Sequence, residues 1–280
     1  MREPWAAPRS EPRVGAGSAT AALAVAARVG YLARGSVYLI IGAFAFLAAV
    51  GSGTRTVGNT GVAVALLAQP AGRVLLGLLA LGLICFSLWR ALQAFADAEH
   101  HGRSLIGLAR RGAYVAGALF YFGLAAWAFS VIAGWSAGRR SEDKPIHDWT
   151  AWLLSLPFGR WLVALAGAVL VGTALAFAFK AFSPGLQTHL SAQAGGWMVL
   201  LGRIGFLARA VAFALMGSFL VEAAIHANSR AAKGLAGALR SLEQQPYGWI
   251  LLGLTAAGFI AFGAYELVQA GYRKVDVPKI

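Results

Sequence analysis

The chain has 280 residues, of which 59% are hydrophobic and 12% are charged. A soluble globular domain carries about 25% charged residues, so this composition excludes a soluble enzyme, a disordered chain and a collagen-like repeat. The formal net charge is +13, but the basic residues form short clusters beside apolar runs, which indicates membrane-flanking residues rather than a nucleic-acid interface. The sequence therefore predicts a polytopic membrane protein with no nucleic-acid partner.

The chain starts with a basic segment, residues 1–27, that we interpret as a cytoplasmic tail. Its alanine-rich part, Ala16 to Ala27, lacks the leucine-rich core of a signal peptide. The tail leads into the first of six apolar segments, each close to the length of about 20 residues that crosses a bilayer. The six predicted spans are residues 31–51, 74–95, 112–135, 161–181, 204–225 and 247–268.

The main alternative to six spans is a seventh span over residues 181–202. That segment is nearly uncharged, but its proline, glycine and polar residues predict a loop. With six spans, 15 of the 24 Lys and Arg residues lie on one side of the membrane. The positive-inside rule then predicts that both termini are cytoplasmic.

A basic residue, a glycine and an aromatic residue recur at the start of the odd-numbered spans. The third copy follows the first after 175 residues, and the middle copy is looser, with Ala116 where the others have Arg34 and Arg209. The members of this unit are Arg28, Gly30, Tyr31, Gly35 and Tyr38 in the first copy, Arg110, Gly112, Gly117 and Phe120 in the second, and Arg203, Gly205, Phe206 and Phe213 in the third.

Each even-numbered span follows a Pro-x-Gly sequence that starts at Pro70, Pro157 or Pro246. Proline suits a first helical turn, because its missing N–H has no intrahelical partner there. A short apolar stretch precedes each proline, and we predict an interfacial helix at each of them, the middle one capped by Asp148.

The tripled unit with its Pro-x-Gly second half resembles the bacterial DUF1206 family over residues 28–270. The resemblance implies a multi-pass bacterial membrane protein with no established activity and supplies no catalytic residues. We predict an all-α bundle of six transmembrane helices, made of three parallel two-helix repeats, in the bacterial inner membrane. The predicted segments are a tail over 1–27, hairpin repeats over 28–100, 101–190 and 191–272, and a cytoplasmic tail over 273–280.

The repeated unit also predicts which helix faces pack. Residues at i, i+4, i+7 and i+11 share one face, so aromatic and small residues alternate along a stripe from Tyr31 to Gly42 and along another from Phe206 to Gly217. Small residues let helix backbones approach closely in lipid, so we interpret the stripes as helix–helix contacts. A ligand-facing stripe is the alternative.

Five charged residues lie within or near the ends of apolar spans: Arg34, Arg90, Arg209, Glu222 and Glu266. Arg34 and Arg209 lie about one turn inside the predicted spans, where their side chains can reach the headgroups. We hypothesise that Glu266 pairs with Arg34 or Arg209, and independent interfacial anchors are the alternative. Glu222 is interpreted as an interfacial residue rather than a proton or ion site.

Signals for metal binding and catalysis are weak. Only the adjacent His100 and His101, near Asp97 and Glu99, resemble a metal site, and we do not predict one there. The sequence has no phosphate-binding, hydrolase or metalloprotease motif, and its single cysteine, Cys85, excludes an intramolecular disulfide. We predict no cofactor, no metal and no enzymatic activity.

Two classes of function remain. A non-catalytic scaffold that binds anionic lipid headgroups on the cytoplasmic side, or a membrane-protein partner, is favoured because small residues abound and polar groups within the spans are few. A solute or ion transporter with a path along a pseudo-threefold axis is the alternative. An axis filled by aromatic side chains favours the scaffold, and a polar cavity favours the transporter.

Overall fold

The computed structural model describes residues 14–95, 105–135, 143–183 and 196–272. Within these ranges the chain forms nine α-helices, one 3-10 turn (Ser229–Ala231) and no strand. Six helices are long and apolar enough to cross a membrane, and three short helices precede the even-numbered spans. The helices are α1 (Val14–Ala49), α2 (Asn59–Leu67), α3 (Gly72–Phe95), α4 (Leu105–Ile132), α5 (Lys144–Ser155), α6 (Gly159–Phe182), α7 (Gly196–His226), α8 (Leu235–Glu243) and α9 (Gly248–Tyr272).

The predicted six-helix membrane bundle is confirmed, and the protein is a multi-pass membrane protein. The three predicted interfacial helices correspond to α2, α5 and α8. The His100 and His101 pair with its acidic neighbours, the last eight residues and most of the predicted loop over 181–202 lie outside the described residues.

Three helices begin seven or more residues earlier than predicted, and one of them is α4, which begins at Leu105 instead of residue 112. α1 begins at Val14, within the predicted tail, and α7 begins at Gly196, within the predicted loop. Alanine is the strongest helix former, so the alanine-rich stretch before Arg28 extends α1 beyond the apolar span. Arg34 and Arg209 therefore lie about 30 Å and about 20 Å from the starts of their helices, and the prediction that they lie one turn inside is wrong.

The Pro-x-Gly sequences are tight turns between a short helix and a span. Their middle residues have left-handed backbones, with φ of 60° at Ala71, 62° at Phe158 and 59° at Tyr247. The spans α3, α6 and α9 begin at the glycines, so the prolines lie two residues before the helices and not in their first turns as predicted. A Cβ on any of these glycines would collide with a carbonyl oxygen of the preceding short helix.

The predicted cap of the middle short helix is also wrong. α5 begins at Lys144, four residues before Asp148, because Pro145 suits the first helical turn. Asp143 precedes the helix, and its carboxylate accepts a hydrogen bond from the Gly234 N–H at 2.9 Å. This bond joins the start of α5 to the segment before α8.

The spans pack in a cyclic order that joins each repeat to the next. The second span of one repeat packs against the first span of the following repeat, in the pairs α3–α4, α6–α7 and α9–α1. Within the first and third repeats the two spans also pack, as α1–α3 and α7–α9. In the part of the chain that the structure describes, α4 and α6 form no packed interface.

Glycines allow the close approach of these helices. A Cβ on Gly35 would lie 2.9 Å from the Gly263 carbonyl oxygen, and one on Gly263 would lie 2.8 Å from that of Gly35. Gly167 and Gly217 form the corresponding contact between α6 and α7, with 2.9 Å in both directions. The predicted role of the small-residue stripes in helix packing therefore holds in the first and third repeats.

The middle repeat is open because two positions that are glycine elsewhere carry side chains. In the first hairpin a Cβ on Gly30 would lie 2.7 Å from the Phe86 Cα, and a Cβ on Gly82 would collide with Ala33. Counted from the Pro-x-Gly glycine, Val169 takes the place of Gly82 in the middle repeat. Ala113 takes the place of Gly30. In the closed hairpin there is no room for a side chain at either position, so Ala113 and Val169 prevent the same close packing of α4 and α6.

The register of the middle copy differs by one residue from the prediction. Gly112 and Phe120 are exposed, Phe120 at 53%, whereas Ala118 and Ala125 are buried at 8% and 0%. A shift of one residue turns a helix position by about 100°, which moves it to another face. The structural equivalents of the first copy are Arg111, Ala113, Tyr114, Gly117, Ala118 and Tyr121, so the assignment of Arg110, Gly112, Gly117 and Phe120 to packing positions is wrong.

Candidate functional site

The centre of the bundle contains a buried ion pair between the first and last spans. The Arg34 Nη1 lies 3.1 Å from Glu266 Oε1 and 3.2 Å from Oε2. The side chains of Arg34 and Glu266 are 5% and 3% exposed. The predicted pairing of Glu266 with an arginine of an odd-numbered span is confirmed, and the alternative of independent interfacial anchors is wrong for these residues.

Aromatic rings from four spans surround the Arg34 guanidinium. Its Cζ lies 5.0 to 5.7 Å from the ring centroids of Phe86, Phe262, Tyr121 and Tyr38. A cation over an aromatic face is stabilised by about 2 kcal/mol when both groups are desolvated. The rings therefore replace part of the hydration that Arg34 loses.

Arg209 is buried at the same centre but has no acidic partner among the described residues. Its residue exposure is 6%, and its buried Nε has no hydrogen-bond partner. Its Cζ lies 4.1 Å from the Phe177 ring centroid, 4.7 Å from that of Phe262, and 5.4 and 5.5 Å from those of Tyr38 and Phe213. Among the described residues, aromatic rings therefore form the immediate surroundings of the Arg209 guanidinium.

One position of the even-numbered spans carries a different residue in each repeat. Eighteen residues after the Pro-x-Gly glycine stand Arg90 in α3, Phe177 in α6 and Glu266 in α9. Glu266 pairs with Arg34, and Phe177 is the ring closest to Arg209. In the middle repeat the arginine position is Gly117, where a Cβ would meet nothing within 4 Å.

Arg90 joins the edge of this cluster. Its Nη1 donates a hydrogen bond to the Gln93 Oε1 at 3.1 Å, and its Cζ lies over the rings of Phe86 and Tyr114 at 5.0 and 5.1 Å. Because Arg34 and Arg90 share the Phe86 ring, Arg90 lies next to the central ion pair.

The first arginines of the predicted motifs lie elsewhere. Arg28, Arg110 and Arg203 are exposed, as expected of membrane-flanking residues. Arg111, which replaces Arg110 in the corrected register, donates from Nε to the Ala94 carbonyl at 2.6 Å and so caps α3. Glu222 is exposed near the end of α7 and does not join the central cluster.

The aromatic members of the predicted motifs contribute to the core. Tyr31 is 2% exposed and makes an edge contact with Phe86 at 5.4 Å, and Phe206 is 4% exposed and contacts Phe262 at 5.5 Å. Gly205 approaches the Phe262 backbone as Gly30 approaches that of Phe86. These residues hold the first spans of the two closed hairpins against the second.

Aromatic and charged side chains fill the centre. Tyr38 contacts Phe259 and Phe262, and Phe206 contacts Phe177 and Tyr265, with centroid distances from 4.8 to 6.0 Å. A groove of about 280 Å³ lies instead between α5, α6 and α7 and is lined mostly by apolar residues such as Ile146 and Val163.

The open side of the bundle lies between α4 and α6. Only 11% of the apolar stretch of α4 and 17% of that of α6 are buried in the protein, compared with 50% for α1 and 56% for α9. Tyr121 of α4 and Phe177 of α6, both half-buried, reach the arginines from this side. Sequence reasoning missed both, although the spacing from the Pro-x-Gly glycine gives Phe177.

Comparison with known protein families agrees with this architecture. The pattern of the Domain of Unknown Function DUF1206 matches residues 29–97, 112–183 and 204–273. Its first two matches start 83 residues apart, consistent with the corrected register of the middle repeat. The chain is 34% identical over 261 residues to "Uncharacterized protein YxxB" of Bacillus subtilis (strain 168), which covers 90% of this chain and 92% of the relative.

No solved structure matches the chain. The family pattern nevertheless covers most of the sequence in three ordered copies, and each copy covers most of two of the six spans. The chain therefore belongs to the DUF1206 family.

Proposed function

We propose that the protein is a non-catalytic membrane scaffold that binds a lipid or a membrane-protein partner. One observation carries this proposal: the centre, where a transport path would run, is filled by an ion pair, a second arginine and their aromatic neighbours. The two exposed walls of the middle repeat, which the other repeats bury, supply a surface for a membrane component.

A transporter is the second candidate, and the central charges favour it. Ionisable residues inside a membrane commonly mark ion or substrate paths, and Arg34, Arg209 and Glu266 are buried within the spans. Solute sites, however, are usually built from broken helices and exposed backbone carbonyls. The six spans described here are continuous helices.

A flux measurement separates the two candidates. We expect vesicles that contain the purified protein to take up ions and small solutes no faster than protein-free vesicles. Selective uptake that is abolished by Arg209→Ala would overturn the scaffold proposal, because a scaffold takes up no solute and the substitution would then have no uptake to abolish.

Cross-linking from the open side tests binding directly. In a Cys85→Ser background, a photoactivatable cross-linker on Phe120→Cys is expected to give a discrete lipid or protein adduct in native membranes. The matched control is Leu88→Cys on α3, whose native residue is 56% exposed, similar to the 53% of Phe120. Equal adduct patterns at the two sites would contradict a binding surface in the middle repeat.

A further inference from the structure

We infer that the open side of the middle repeat holds an anionic phospholipid, with an acyl chain between α4 and α6 and its phosphate at Arg209 and Lys180. This inference rests on the proposed scaffold function and names the occupant of that surface. Its basis is a buried arginine that has no ion-pair partner among the described residues and lies beside an opening with apolar walls.

The charge requirement is specific to Arg209. Removing a cation from water without a compensating anion costs several kcal/mol, which is why buried charges are usually paired. Arg34 meets this requirement with Glu266, whereas Arg209 has Phe177 at the equivalent position. A guanidinium binds phosphate oxygens through two parallel N–H donors, so a phosphate group suits the unpaired arginine.

A second cation, Lys180, lies close to Arg209, because the two contact the neighbouring rings of Phe206 and Phe177. The Lys180 Nζ is 4.7 Å from the Phe206 ring centroid, and the Phe206 and Phe177 centroids are 5.9 Å apart. Arg209 lies on the other member of the pair, 4.1 Å from Phe177. A phosphate that displaces the half-buried Phe177 ring therefore enters between two positive charges.

The walls of the opening suit an acyl chain rather than a polar solute. By comparison with the closed hairpins, the facing positions are Ala113, Ala116 and Phe120 of α4 and Val169 and Thr173 of α6. The Thr173 hydroxyl already donates to the Val169 carbonyl at 2.8 Å. The exposed Arg110, near the start of α4, adds a further positive charge that favours an anionic headgroup.

A second copy of the chain does not satisfy Arg209. Only Glu222 and Glu266 are acidic within the described spans, and Glu266 is already paired. Glu222 lies about 20 Å along α7 from the level of Arg209. An apolar helix of another protein would leave the arginine unpaired, so a partner helix competes with the lipid only if it carries a carboxylate.

Native mass spectrometry of the purified protein tests the inference. With equal amounts of phosphatidylglycerol and phosphatidylcholine, we expect one phosphatidylglycerol molecule to be retained preferentially. Arg209→Met should lower that preference at least about tenfold, and Arg203→Met, an exposed arginine on the same helix, should not change it. Arg209→Lys keeps the charge but loses the two parallel N–H donors, so it should keep part of the preference, which separates loss of binding from loss of folding.

Closing the middle repeat provides an independent test. Ala113→Gly with Val169→Gly restores the two glycines of the closed hairpins, so α4 and α6 are expected to pack and the lipid to be lost. The matched control is Leu175→Gly, at an exposed position of α6 that lies off the opening. Retention of phosphatidylglycerol by the double variant would overturn the inference.

Two further results would also overturn it. Inorganic phosphate that displaces the bound lipid would indicate a soluble anion site. Preferential binding of a transmembrane peptide with one central glutamate, in place of phosphatidylglycerol, would assign the opening to a partner helix. Both results leave the scaffold proposal standing, whereas solute flux overturns that proposal without deciding what occupies the opening.

Discussion

At the residue scale, the ion pair between Arg34 and Glu266 joins the first and third repeats, and each of the two buried charges depends on the other. Glu266→Gln leaves the Arg34 charge buried without a counter-charge, and breaking a buried pair in this way costs about 3–5 kcal/mol. We therefore expect a large fall in the unfolding temperature of the detergent-solubilised protein.

Two further variants test whether the loss of stability comes from the unpaired buried charge. Glu222→Gln removes an exposed carboxylate from α7 and should leave the unfolding temperature almost unchanged. The double variant Arg34→Met with Glu266→Met replaces the pair by apolar groups and should recover most of the stability. If the single and double variants lost the same amount of stability, the loss would not come from an unpaired buried charge.

The pair could be predicted from the sequence, but the different state of Arg209 could not. Both arginines occupy the same position of the repeated unit, so their sequences alone make them equivalent partners for Glu266. The choice depends on which even-numbered span lies beside each arginine, namely α9 for Arg34 and α6 for Arg209. That adjacency follows from the cyclic packing of the repeats, which the local sequence does not encode.

At the element scale, the Pro-x-Gly turns concentrate backbone strain at a residue that is not glycine. Ala71 has φ 60°, where a Cβ is unfavourable by about 1 kcal/mol, so Ala71→Gly should stabilise the protein by roughly that amount. Gly72→Ala should destabilise it strongly, because the new Cβ collides with the Leu66 carbonyl oxygen. Chemical unfolding of the two variants measures this contrast, and similar effects would contradict the assigned turn.

Two glycines of α3 provide a matched test of hairpin packing. Gly82→Ala places a methyl group against Ala33 of α1 and should destabilise the protein by about 1–3 kcal/mol. Gly77→Ala meets only the Ile132 side chain, at 3.9 Å, and should be neutral or slightly stabilising, since alanine favours helix. Unfolding measurements in detergent that rank Gly77→Ala below Gly82→Ala would disprove the close approach of α1 and α3.

The spans were predictable at this scale, and the starts of three helices were not. Apolar length fixes where a helix can cross a bilayer, so each predicted span overlaps one observed helix. Hydropathy carries no information on where a helix stops outside the bilayer. The extension of α1 back to Val14 depends on alanine propensity, and it moves Arg34 from the expected end of a helix to its interior.

At the scale of the whole molecule, the three repeats form a ring that is closed at both of its outer hairpins and open in its middle one. The tripled motif predicts equal hairpins, but the opening depends on Ala113 and Val169, which stand where the other copies have glycine. An alignment displaced by one residue hides this difference, because it places Gly112 at the contact position. The departure from symmetry, and with it the candidate site, therefore appears only when the copies are compared in three dimensions.

The orientation of the ring in the membrane remains a prediction that rests on its basic residues. Because the exposed Arg28, Arg110 and Arg203 mark one end of the bundle, we expect that end to face the cytoplasm. In a Cys85→Ser background, Ser52→Cys in the loop after α1 should react with a membrane-impermeant maleimide added to intact cells. Ala109→Cys, next to Arg110, should react only after the membrane is permeabilised. The opposite pattern of labelling would show that the protein has the inverse orientation, with Arg110 and Lys180 on the outer side of the membrane.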